Sequence, residues 1–161
     1  SCSDESTQIV ALDFTKANAS GTYKISNLNA NAINTTITQG AEVTISTAKI
    51  TSDTYEVDFD ISTNGTFTVK GQYREVNTVT AANGKVTVTP KIINIDNSGS
   101  YTIDTNGNRT ISFNSINNNL LKGEFSVNFF NENTLTLTQE TEVLDGAITT
   151  VTKTTIIFVR K

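Results

Sequence analysis

YEVDFDISTNG, residues 55–65, is the stretch on which the fold turns. Tyr55, Val57, Phe59 and Ile61 alternate with Glu56, Asp58 and Asp60, a period of two that sets one group of side chains on each face of a β-strand. The apolar group faces a core and the acidic group faces water. Asn64-Gly65 then supplies a dipeptide that tolerates positive φ, as the tight turns matching strand twist require. A strand with one wet face that runs into a hairpin is the unit of an antiparallel sheet.

The same unit recurs on the C-terminal side. TFTVKGQY (66–73) sets Phe67, Val69 and Tyr73 on one side with Gly71 between them, and a glycine within such a face marks a bulge or a corner. AANGKVTVTP (81–90) has a second Asn-Gly turn, then Val86 and Val88; Pro90, the only proline, closes that strand or sits on an edge. In GSYTIDTNGNRTISF (99–113), Tyr101 and Ile103 face Ile111 and Phe113 across an Asn106-Gly107 turn. GEFSVNFF (123–130) and NTLTLTQETEV (133–143) follow, and Asp145-Gly146 turns the chain into AITTVTKTTIIFVR (147–160).

On the N-terminal side, GTYKISNL (21–28) reads as extended, and a Thr/Asn-rich stretch leads to AEVTISTAKI (41–50). QIVALDFTKANAS (8–20) reads as a short strand or a plug segment. Eight to ten strands joined by hairpin turns, with no amphipathic helix, predict an all-β fold of up-and-down order. A meander of this length has two exposed edges unless it closes, so the expected architecture is an antiparallel up-and-down β-barrel of about eight strands. A two-sheet β-sandwich is the alternative.

With 161 residues the chain is the size of one domain. Hydrophobic residues are 36% and charged ones 17%, and Thr, Asn and Ser make up the difference, as suits half-buried strands and their turns. A net charge of -4 and the lack of a basic stripe argue against nucleic acid as a partner. No run approaches the roughly 18 apolar residues of a membrane-spanning helix.

Histidine is absent, which removes Ser-His-Asp and Cys-His catalysis and most zinc sites. Paired carboxylates would be the remaining acid/base apparatus: Glu56, Asp58 and Asp60 lie on one strand face and Glu140 and Glu142 on another. With Tyr55, Val57, Phe59 and Ile61 in the core the first three point into water, a facing that only a polar lumen would reverse to make a cation or sugar site. DTNGN (104–108) lacks the glycine at position six and the glutamate at position twelve of a calcium loop and reads as a hairpin turn. The expectation is a non-enzymatic protein with no cofactor and no metal. Phe129 and Phe130 are adjacent, so one of the two rings points outward unless a bulge intervenes, which makes this pair a candidate contact for a partner.

GTYKIS, STNGTFTV, SGSYTIDTNGNRTISF and FSVNFFNENTLTLTQE, taken in order, resemble the lipocalin-like domains of Bacteroidota outer-membrane lipoproteins. In that family a Gly-Thr-aromatic strand opens the barrel, a Gly-Thr-Phe strand follows a tight turn, and a Gly-x-Tyr strand and a Thr-Leu-x-Leu strand come later. The resemblance spans residues 21–161, with Tyr23 where the family often has tryptophan and no alignment from Asn29 to Thr54.

The resemblance implies a role for Cys2, the only cysteine. In bacterial lipoproteins the mature chain begins with a diacylglycerated cysteine, so Ser1-Cys2 resembles the remnant of a lipobox. Acyl chains there would anchor the protein in the outer membrane. Ser3, Asp4 and Glu5 resemble the acidic signal that sends such lipoproteins to the cell surface. Residues 1–20 would then be a lipid-anchor tether and leading segment, and 21–161 the barrel. Two roles follow: an accessory subunit of an outer-membrane protein complex for uptake, assembly or secretion, or a barrel that holds a small apolar ligand or glycan among Tyr55, Phe59, Phe67, Tyr101, Phe113 and Phe125.

Overall fold

The computed structural model describes residues 12–161. Eight strands follow one short helix, α1 (Lys16–Ala19): β1 (Gly21–Thr38), β2 (Ala41–Ile61), β3 (Thr66–Ala81), β4 (Val86–Asp104), β5 (Thr110–Ser115), β6 (Gly123–Phe130), β7 (Thr134–Asp145) and β8 (Ile148–Arg160). Each strand pairs antiparallel with the next, and β8 returns to β1, so the sheet closes as an up-and-down barrel of lipocalin-like order. One ring forms, not the two sheets of a sandwich.

The alternation in residues 55–61 sets the inside and outside of this ring. Val57, Phe59 and Ile61 are buried, whereas Glu56, Asp58 and Asp60 are exposed. Phe59 pairs with Tyr23 of β1 and with Val69 of β3, and the buried set continues through Phe67, Tyr101, Phe113, Phe125, Leu137 and Phe158. Burying each such side chain contributes roughly 1.5–3 kcal/mol, so this end of the barrel carries most of the hydrophobic stabilisation. Gly71 stands on the inner face between Val57 and Ile95; a Cβ there would lie 1.8 Å from the carbonyl oxygen of Glu56. Only glycine admits so close an approach.

Residues 12–20 close the base as a plug. The Leu12 amide donates to the Phe130 carbonyl at 3.3 Å, and the Phe14 ring meets Phe130 edge-on at 5.1 Å. Thr15 caps α1 by accepting from the Asn18 amide, and Ala19 is fully buried. Arg160, near the end of β8, ties the plug down: its guanidinium donates to the Ser20 carbonyl at 2.6 Å, the Asn18 carbonyl at 2.8 Å and the Tyr23 hydroxyl at 2.8 Å. Burial raises the pKa of Tyr23, and the Arg160 charge partly offsets that rise.

All four Asn-Gly or Asp-Gly turns lie between strands, with Gly65, Gly84, Gly107 and Gly146 at positive φ. A further hairpin, at Gln39 and Gly40, joins β1 to β2.

Candidate functional site

The barrel is closed at its base and open on one side above it. β5 and β6 are six and eight residues long, against 18 for β1 and 21 for β2. Where these two short strands end, the ring splits, and two buried or bonded amides hold the split. Asn97, 3% exposed on β4, donates to the Asn119 carbonyl at 2.7 Å and accepts from the Ser98 amide, fixing the loop between β5 and β6. Gln139 of β7 donates to the Lys122 and Glu124 carbonyls at 2.7 and 3.2 Å, so its side chain bonds to β6 where the β6–β7 ladder has already ended.

Beyond the split, β7, β8, β1, β2, β3 and β4 continue as a single-layered sheet of six strands. This extension, the mouth, is wet on both faces. Its outer face presents Ile33, Ile37, Val86, Val88, Ile92 and Leu144, and its inner face Val43, Val143 and Ile148, all exposed. Leu144 and Ile37 are 74% and 67% exposed, values that single scattered residues reach but that here recur across one contiguous sheet.

The mouth has two free backbone edges, and they differ. The Ala81 amide donates to the Lys85 carbonyl at 2.9 Å, which makes Ala81 and Lys85 a hydrogen-bonded pair, and the pairs of an antiparallel ladder alternate from there. Residues 87, 89 and 91 therefore bond to β3, while residues 86, 88, 90 and 92 turn their backbone groups to the open side. Pro90, which has no amide hydrogen, occupies the middle of that open row, on the edge that was one of its two expected places.

At the neck between base and mouth, Thr54 adopts a left-handed φ of 55° and shifts the β2–β3 register, which brings Tyr55 back over Ser52. The Tyr55 hydroxyl donates to the Ser52 carbonyl at 2.9 Å and accepts from the Leu28 amide at 3.0 Å. Its ring stands 6.2 Å from that of Tyr73, whose pKa is pushed up to about 12 by burial first and then by Glu75 and Tyr55.

Of the six residues expected to line a lumen, the structure brings four together as packed rings. Phe59, Phe67, Phe113 and Phe125 meet ring to ring, with centroids 4.9 Å apart for Phe67 and Phe113 and 5.7 Å for Phe113 and Phe125, so the rings fill the base. Tyr101 lies at the base too, donating to the Ser62 carbonyl at 2.5 Å, whereas Tyr55 lies at the neck. Phe129 is 39% exposed on the outer wall of β6, and Phe130 is buried against Phe14.

Asp58 pairs with Lys161 at 3.0 Å, and Asp60 accepts from the Thr22 hydroxyl at 2.5 Å, so both carboxylates point outward. Among the described residues no three of His, Cys, Asp and Glu come together as a metal site. Cys2, Ser3, Asp4 and Glu5 lie outside the described residues. Asn97 and Gln139 had no sequence signal: each is one polar residue in a run of polar residues, and only the ladder's end reveals its role.

No family model, curated protein or solved structure matches this chain.

Proposed function

We propose that this chain is a non-enzymatic surface lipoprotein, anchored in the outer membrane by acyl chains on Cys2, that serves as an accessory subunit by docking its open sheet on a partner protein. The observation that carries this reading is the mouth: a contiguous sheet with two free edges that keeps most of the large exposed apolar side chains of the described residues in one region. Such an area is costly to leave in water and is characteristic of an interaction surface. The packed aromatic base favours this reading over a ligand held in the lumen, because four of the six candidate lining residues, Phe59, Phe67, Phe113 and Phe125, pack against one another.

The test uses the full chain in its native envelope. Photo-crosslinkers placed at Ile37, Val88 and Leu144 should join the protein to one partner, while crosslinkers at Lys24 and Asp58, on the outer wall of the base, should not. The mass of the N-terminal peptide should show acylation at Cys2. An unmodified Cys2 removes the anchor from the proposal, and equal crosslinking at base and mouth removes the docking surface.

A further inference from the structure

The two free edges of the mouth differ, and the difference points to the chemistry of what docks. On β7 the Asn131 amide donates to the Thr134 carbonyl, so the even-numbered residues up to Thr138 bond toward β6 and the odd-numbered ones toward β8. Beyond Thr138, where β6 no longer pairs, the backbone groups of Glu140, Glu142 and Leu144 therefore face open space. This row lacks proline, and among the described residues neither glutamate makes an ion pair. At its foot, where β6 and β7 part, a groove of about 470 Å³ is lined by Glu124, Ser126, Thr138, Glu140 and Lys153.

Self-pairing of the β7 edge is opposed where it sets carboxylates together, and the β4 edge is interrupted by its proline. Two β7 edges brought together about a two-fold axis centred on Glu142 would set that carboxylate against its own copy. A β4 edge offers no amide at Pro90, and pairing it with β7 would set Val86, Val88 or Ile92 against Glu140 and Glu142. Natural sheets use these two devices, charge and proline, to prevent edge-to-edge association. They are not equivalent toward a different chain: proline removes a donor for every partner, whereas carboxylates repel acidic partners and lose hydration against apolar ones.

We propose that the β7 edge, residues 140–144, is a strand-addition site for an extended, basic segment of the partner, with Lys or Arg at alternate positions against Glu140 and Glu142 and an apolar side chain against Leu144. The inference rests on the docking reading above and names the element and the chemistry. Main-chain hydrogen bonds to residues 140, 142 and 144 would supply the affinity, and alternate side chains the specificity.

The experiment uses the purified full chain and a twelve-residue peptide of alternating Lys and Thr, with an alternating Lys and Pro peptide of equal charge as control. Glu142→Pro copies on β7 the device that Pro90 supplies on β4 and leaves the β7–β8 ladder intact. The double variant Glu140→Lys, Glu142→Lys reverses the charge without touching the backbone. The Lys/Thr peptide should bind the native chain, at least tenfold more weakly to either variant, and protect the amides of residues 140, 142 and 144 from exchange. The Lys/Pro peptide should not bind. Equal binding of both peptides, or unchanged binding to a Glu142→Pro variant of native melting temperature, overturns the proposal. Because this assay needs neither anchor nor cell, a partner that crosslinks at the mouth while the peptide fails would leave the docking reading standing and sink this one alone.

Discussion

β2 passes through two regimes within one strand. Its last residues, Val57, Phe59 and Ile61, put one face against packed rings and the other in water; its first residues, Ala41 to Ile50, have water near both faces. At the base, burial selects the conformation and fixes the register, because a slip of one residue would turn three large apolar side chains into solvent. At the mouth nothing large is buried, so the strands are held by ladder hydrogen bonds and by the β-branched side chains of Thr, Ile and Val. Stability therefore concentrates at one end of the same strands, and the surface free to act concentrates at the other.

The largest effect expected from this contrast is at Phe59. Its ring lies 4.6 Å from Phe158, 6.0 Å from Tyr23 and 6.0 Å from Phe113, so Phe59→Ala opens a cavity that three other rings cannot close. A loss of about 3–5 kcal/mol is expected, read as a lower urea midpoint with an unchanged slope. A loss below about 1 kcal/mol would mean that the base is not the stabilising half, and the comparison would fail.

The same contrast explains what the sequence could and could not convey. Wherever large apolar residues alternate with polar ones, as in residues 55–61, 67–73 and 101–113, strand and facing are legible, and the glycine turns mark where strands end. Residues 29–54 are different: they hold no aromatic residue, and Ile33, Ile37, Val43, Ile45 and Ile50 stand among Thr, Asn, Ser and Ala on both faces, so neither face identifies itself as the inside. The hairpin at Gln39 and Gly40 therefore reads only as a polar stretch. The bulges are equally silent, since the register shift at Thr54 depends on a backbone conformation that a β-branched residue rarely adopts. Of the candidate site, Pro90 was legible as an edge marker. The open β7 edge was not, because it exists only where β6 is too short to cover it.

A second, smaller effect sharpens the comparison through pH. Tyr73 has a pKa pushed up to about 12, from an ordinary 10.0, chiefly because burial disfavours the phenolate. Since the folded value is the higher one, the folded chain keeps a proton that the unfolded chain releases. That contribution is complete below about pH 10 and is lost as pH rises from 10 toward 12. The slope is at most about 1.4 kcal/mol per pH unit over that window. Urea midpoints should fall across it, and Tyr73→Phe should flatten the fall. The residue stands at the neck, 5% exposed, where the packed interior gives way to the open sheet. An unaltered slope in the variant would move the boundary between the two regimes below Tyr73.

The smallest expected effect is at Ile37, near the tip of the β1–β2 hairpin and 67% exposed. Ile37→Thr keeps the β-branch that favours an extended backbone and removes apolar surface that is already in water, so stability should change by no more than about 0.5 kcal/mol. Partner capture should respond in the opposite proportion: if the mouth is the docking face, the change that folding ignores is the one that crosslinking to the partner detects. A melting temperature that drops as far as in Phe59→Ala would show that Ile37 is covered in the native protein. An isoleucine at that position would then belong to a second core, and the open sheet would be an internal surface of a larger assembly.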